Sequence, residues 1–363
     1  MSRPFMTDSP GLRQRVRYAA SLDGTRLGWA ESGAGPIVVK AANWLTHLEY
    51  EWHSPVWKHW LQFFSANCRF VRYDERGCGM SEWGGALSLD LWADDLGSII
   101  DAAQPKGPVT LLGISQGAAT CIHYALRHPE RVGKLILYGG YAHGALKRGT
   151  PDDGRAHQAM IELARVAWGK DNPTFRQVFT SRFIPGGTPE QLAWFNDLCL
   201  KTTSGEFVAK LLEARGRVDI SGSLAALRVP TLVLHARADE VIPVEEGRLL
   251  ASGIPGAEFV ELDSRNHILL EHEPAWARFR DAVRSFLTQS SQSAGEPVFA
   301  ALSARERQVL KLIADGLSNA DIGAHLQISE KTVRNHASNV FDKLGVWSRA
   351  QAIVFARDHG FGG

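Results

Sequence analysis

The chain has 363 residues, with 40 Lys and Arg against 39 Asp and Glu, for a net charge of +1. That balance excludes a global electrostatic pull toward a polyanion or a lipid surface, and no apolar run of about 18 residues exists to span a bilayer. The length calls for two or more domains.

The start, Met1–Pro10, has no apolar stretch and predicts no signal peptide. Cys68, Cys78, Cys121 and Cys199 show neither pairing nor metal-ligand spacing, which predicts reduced thiols in a cytoplasmic protein. No metal and no cofactor are expected. Short apolar or β-branched runs follow at 36–41, 69–73, 109–112, 134–138, 230–235 and 258–262. Helical patterns separate most of them, such as 91–103 and 118–128. This alternation predicts an open, mostly parallel sheet with helices on both faces. Ligands of such sheets bind beyond the carboxyl ends of the strands.

Three chemical residue types stand at three strand ends. The run from Val109 reaches Gly113-Ile114-Ser115-Gln116-Gly117, a G-x-S-x-G turn whose glycines lift the serine clear of the sheet. The run from Pro230 ends at Asp239, with Glu240 as a neighbouring competitor. The run through Leu262 is followed by His267. A hydroxyl nucleophile needs a base, and the base needs an anion to fix its tautomer. His272, in an acidic run, reads as a surface residue. Between 144 and 222 the sheet is interrupted by helical patterns carrying Trp168, Phe175, Phe179, Phe183, Trp194 and Phe195. These aromatics read more readily as internal packing than as a ligand wall.

From about residue 15 to 287 the chain resembles the α/β-hydrolase family. The resemblance rests on the G-x-S-x-G turn, the order Ser, Asp, His, the run Tyr73-Asp74-Glu75-Arg76-Gly77 and the run Arg127-His128-Pro129. It implies an α/β-hydrolase fold with a helical lid at about 144–222. It assigns Ser115 as nucleophile, Asp239 as acid and His267 as base. The His-Gly pair usual after the third strand is absent, and Lys40-Ala41-Ala42-Asn43-Trp44 stands there instead. A backbone N–H of Asn43 or Trp44, with that of Gln116, is the expected oxyanion partner. Losing one such donor costs about 10²–10³ in rate, so this departure bears on turnover and not on binding. Trp44 is a candidate pocket wall, and Trp57 reads as core.

Thr288–Pro297 is polar and poor in apolar residues, and predicts a linker at 288–300 between a ligand-binding domain at 1–287 and a small domain at 301–363. Ser303 and Glu306 form a capping-box pattern ahead of a helical repeat that Gly316 ends. Ser318 opens a second helix, with Ile322 and Leu326 facing inward. Ser329 caps a third, whose Val333, Ala337, Val340 and Leu344 form one apolar stripe. Two helices joined by a tight turn, the second with a basic and amide-bearing face, fit a major groove. Residues 301–363 hold eight Lys and Arg against six Asp and Glu, a modest excess for a DNA binder.

This tail resembles the LuxR/GerE helix-turn-helix family from Leu302 to about Ala356. The carriers are Arg305-Glu306-Arg307-Gln308-Val309-Leu310, the Gly316–Asn319 turn, Thr332-Val333-Arg334-Asn335-His336 and Lys343-Leu344-Gly345-Val346. The resemblance implies a four-helix all-α domain and homodimer contacts from a fourth helix at about 348–357. It also implies transcription regulation at a dyad DNA operator. Arg334 can fork onto guanine and Asn335 can pair with adenine, while Lys331, Thr332 and Ser338 fit phosphates. The joint reading is a ligand-responsive regulator whose hydrolase-like domain binds a small ester, lactone or amide effector. The alternatives are a working serine hydrolase with an accessory tail, or a sensor that slowly hydrolyses its effector.

Overall fold

The computed structural model describes residues 13–289, 299 and 302–358. Residues 1–12 and most of the expected linker lie outside the described residues. The chain divides into two compact units, Met1–Thr288 and Gln289–Gly363.

The larger unit is built on an eight-stranded sheet in the order β1-β2-β4-β3-β5-β6-β7-β8. Its strands are β1 (Arg15–Ala20), β2 (Arg26–Ser32), β3 (Ile37–Lys40), β4 (Arg69–Tyr73), β5 (Val109–Ile114), β6 (Val132–Tyr138), β7 (Thr231–Ala236) and β8 (Glu258–Leu262). From β4 to β8 neighbouring strands run parallel. Sequence periodicity missed β1 and β2, which form an antiparallel hairpin that joins β4, also antiparallel. β1 is an edge strand, exposed or half-buried throughout, so it carries no apolar alternation to read.

Helices cover both faces. On one side lie α1 (Leu48–Trp52) and α2 (Lys58–Asn67); then come α3 (Leu89–Ala103) and α4 (Gly117–Arg127). Four helices follow between β6 and β7: α5 (Pro151–Ala167), α6 (Thr174–Phe183), α7 (Pro189–Thr202) and α8 (Gly205–Gly216). α9 (Val244–Gly253) joins β7 to β8, and α10 (Pro274–Thr288) closes the unit. The central strands bury both faces, which is why they read as unbroken apolar runs. Leu111, Leu135, Leu137 and Val233 pack with α3, α4 and α9. Their neighbours Leu112, Ile136, Leu232 and Leu234 pack with Trp60 and Phe64 of α2 and Phe279 of α10. Each such leucine contributes about 1.5–3 kcal/mol relative to exposure. The four cysteines are free and buried.

The smaller unit holds α11 (Ala304–Ala314), α12 (Asn319–Leu326), α13 (Glu330–Leu344) and α14 (Arg349–Asp358). Ser303 and Ser318 close capping boxes with Glu306 and Asp321, and Ser329 accepts the Thr332 N–H. Gly316 follows α11 with φ +85°, a left-handed position that suits glycine. Val333, Ala337 and Val340 are buried; Leu344 is half-buried. They pack on Val309, Leu310, Ile313 and Ile322.

The Glu306 carboxylate accepts from Lys343 Nζ at 2.7 Å and from the Ser303 N–H at 2.7 Å. The Lys343 bond, then the Ser303 bond, pull its carboxyl down to about 2. A depressed carboxyl stabilises the fold above its unfolded value of about 4.3, and the contribution is lost as pH falls toward 2. Glu306→Gln is expected to flatten this acid limb and to cost about 1–2 kcal/mol near neutrality, measured by urea unfolding of the C-terminal unit across pH. An unchanged acid limb would remove the assignment.

Candidate functional site

The turn from β5 into α4 carries Ser115 in a left-handed conformation, φ +54°. Non-glycine residues occupy that region at a cost, and such outliers gather at functional sites. The two flanking glycines are needed sterically. A Cβ on Gly113 would sit 2.8 Å from the Ala118 nitrogen, and one on Gly117 would sit 3.2 Å from the Ala42 carbonyl oxygen. The second approach brings the start of α4 against the loop after β3. Ser115 is buried, with its N–H on the Tyr138 carbonyl at 2.9 Å.

Asp239 follows β7, and His267 follows β8. Their Oδ2 and Nδ1 atoms lie 2.6 Å apart. A carboxylate only accepts, so Nδ1 carries the proton and Nε2 is the basic nitrogen. Asp239 Oδ1 takes the N–H groups of Val241 and Ile242 at 2.8 and 3.0 Å. Burial pushes the Asp239 carboxyl up, but the charge and hydrogen bond of His267 and the Ile242 N–H outweigh it and hold it below its ordinary value. Glu240, the sequence competitor, points elsewhere: its carboxylate pairs with Arg265 at 2.5 Å. His267 Nε2 is buried without a hydrogen-bond partner, so no hydrogen bond joins it to Ser115. Such bonds are often long without substrate and tighten when it binds. His272 is exposed.

One neighbour escaped sequence reading. His235, on β7, places Nε2 3.7 Å from Asp239 Oδ2 and 2.9 Å from the Ile242 carbonyl. Burial lowers its pKa, which keeps it neutral with the proton on Nε2. It sits four residues before Asp239 inside a buried strand, where periodicity reads only core.

Asn43 is buried, and its side-chain oxygen accepts from Lys40 Nζ. Burial lowers the Lys40 ammonium to about 8, and its head also lies over the Trp57 ring. The tie occupies the Asn43 side-chain oxygen, an acceptor, and leaves both the Asn43 side-chain NH₂ and the loop backbone N–H groups as donors. Gln116 is the N-cap residue of α4 and its side chain makes no cap bond. The first N–H groups of a helix have no intrahelical partner and favour negative charge.

A cavity of about 800 Å³ lies beside this trio, lined by Trp44, Asp239, and residues of α5, α6 and α8. Phe179 and Phe183 are part of its wall, whereas Trp168 and Phe195 are buried packing. Phe183 also stands ring-to-edge against His267, centroids 5.2 Å apart. Ser115 and His267 do not line the cavity. Among the described residues no His, Cys, Asp and Glu cluster has the arrangement of a metal site, and no helix is long and apolar enough to cross a membrane.

On α13, Lys331, Arg334, Asn335 and Ser338 are exposed and Thr332 is half-exposed. They lie on the face opposite the buried stripe. Arg334 makes one loose pair with Glu330 at 3.5 Å. Thr332 is engaged with the capping Ser329 at 2.8 Å.

Residues 50–274 match the model of the serine aminopeptidase S33 family. The AB hydrolase superfamily protein YisY of Bacillus subtilis is 32% identical over 231 residues, 62% of this chain and 82% of its own length. The chain belongs to the α/β-hydrolase superfamily. It is also 29% identical, over 79% of its length and 96% of the relative's, to the 2-hydroxy-6-oxononadienedioate/2-hydroxy-6-oxononatrienedioate hydrolase of Escherichia coli. Among solved structures it is similar to an esterase from Exiguobacterium antarcticum, with TM-score 0.64, 24% identity and coverage of 74% and 98% of the two chains. It is similar as well to the enol-lactonase of Burkholderia xenovorans, with TM-score 0.60, 25% identity and coverage of 75% and 100%. Residues 300–356 match the model of bacterial regulatory proteins of the luxR family. The chain thus carries a LuxR-type domain beside its α/β-hydrolase-fold domain.

Proposed function

We propose that this chain is a ligand-responsive DNA-binding regulator, in which the α/β-hydrolase domain (1–287, lid 144–222) binds a small ester, lactone or amide effector and the domain at 301–363 reads a dyad operator. The observation that carries this is the union, in one chain, of a roomy cavity beside a hydrolase-type site with an exposed Lys331–Arg334–Asn335–Ser338 face. A cavity of several hundred Å³ with a mainly apolar wall suits a small organic molecule. Homodimerisation through α14 accords with exposed apolar side chains on it and just before it: Val354 on the helix is 58% exposed and Trp347, two residues before its start, 91%. A cytoplasmic location accompanies this role.

The test is DNA affinity with and without effector. A sensor must bind its effector differently in the DNA-competent and incompetent states, and the coupling is reciprocal. A bound effector is expected to shift operator affinity by about 5–150-fold in fluorescence anisotropy titrations. Identical affinity with a verified, bound effector would end the sensing claim.

A second reading, turnover of the effector, is favoured by one contact. The Asp239–His267 bond holds the imidazole in the tautomer a general base requires. Ser115, Asp239 and His267 would then act as nucleophile, acid and base. The amides of Asn43 or Trp44 and of Gln116 would meet the oxyanion.

A further inference from the structure

Two guanidinium groups of the cavity are held by carbonyl oxygens. Arg148, in the loop after β6, donates to the His143 carbonyl at 3.0 Å and the Val241 carbonyl at 3.2 Å. Arg182, on α6, donates through Nε and Nη2 to the Glu240 carbonyl at 3.2 and 2.6 Å. Both therefore converge on consecutive carbonyls of the loop that begins at Asp239. Among the described residues neither forms an ion pair. A guanidinium has five N–H donors, so each has donors left over.

The carboxylates of the same wall are all engaged elsewhere. Asp239 holds His267, Glu240 pairs with Arg265 and Glu245 with Arg248 at 3.6 Å. Glu246 accepts the N–H groups of Ala142 and His143 at 2.8 and 2.9 Å. Asp153 caps its helix through Thr150. The remaining wall is largely apolar, with Ala145, Ala156, Met160, Leu163 and Val178 facing the same space. Burial lowers the Arg148 pKa although the charges of Glu246 and Asp239 pull the other way, which marks a cation short of solvent. Guanidinium and carboxylate match as a planar, two-bond fork.

We propose that the cavity selects an amphiphilic monocarboxylate, its carboxylate forked by Arg148 and Arg182 and its apolar body against α5 and α6. This rests on the effector-binding reading above and names the chemistry of the effector. Arg148 and Arg182 position the ligand through its charge, while the apolar wall sets its length.

The experiment measures binding of octanoate and of octanamide to the full-length chain by calorimetric titration. The two probes share a body and differ in charge. Octanoate is expected to bind at least about tenfold more tightly than octanamide. In Arg182→Gln and in Arg148→Gln that preference should fall toward one. Arg182 is exposed, so its variant is a safe folding case; thermal melting checks the Arg148 variant. Equal affinity of the two probes for the wild type, retention of the preference in the Arg182 variant, or no octanoate binding overturns the proposal. Failure of the sensing reading looks different: octanoate binds with the expected preference while operator affinity stays the same.

Discussion

Ser115→Ala is expected to abolish hydrolysis of an activated ester such as 4-nitrophenyl butyrate, with kcat falling by about 10⁴-fold or more. The reason is geometric. Ser115 stands in a left-handed turn at the end of β5, and no other residue from Gly113 to Gly117 carries a hydroxyl that can take the acyl group. His267→Ala should cost about as much, and the double variant no more than either single one, because the three residues act as one unit. Asp239→Asn should cost on the order of 10⁴, since it offers the Nδ1 proton an amide that can flip and select the other tautomer. The amide replacement also removes the charge that Asp239 contributes beside the imidazole. The comparison is made on a panel of esters and lactones with stopped and continuous assays. Equal rates for wild type and Ser115→Ala across that panel would leave the trio as a binding scaffold only.

Arg334→Ala is expected to weaken operator binding by about 1–3 kcal/mol and to relax specificity at a single base position. Arg334 is 66% exposed, and its one partner among the described residues, Glu330, lies 3.5 Å away. An exposed pair of that kind is worth little, so the side chain is released to a base at small cost. Lys331→Ala should behave differently, weakening binding to all sequences alike and lowering the salt slope by about 1. Anisotropy titrations on the operator, on single-base variants and on random DNA at several salt concentrations separate the two. An equal loss on operator and random DNA for Arg334→Ala would reduce it from a base reader to a phosphate contact.

Much of this architecture was legible in advance, and the reasons differ by region. The central strands announce themselves because burial on both faces demands unbroken apolar runs, and β4 and β8 match their expected bounds. The C-terminal helices announce themselves because Ser303, Ser318 and Ser329 each begin one, and a cap works through bonds to residues two or three positions away. Local chemistry of that reach is written in the order of residues. The G-x-S-x-G turn is legible for the same reason: steric need for Gly113 and Gly117 is confined to one turn.

What the sequence determined by itself, then, was whatever depends on neighbours along the chain: strand periodicity, helix caps, the Gly113–Gly117 turn and the polar face of α13. Tertiary structure alone decided the rest. It chose Asp239 over Glu240 as the partner of His267, because the loop after β7 turns one carboxylate inward and the other toward Arg265. It tied Asn43 to the buried Lys40. It gathered Arg148 and Arg182, far apart in sequence, onto adjacent carbonyls of one cavity wall. Charges and hydrogen bonds act over a few ångströms of space whatever the separation in sequence, so only the folded chain shows which of them meet.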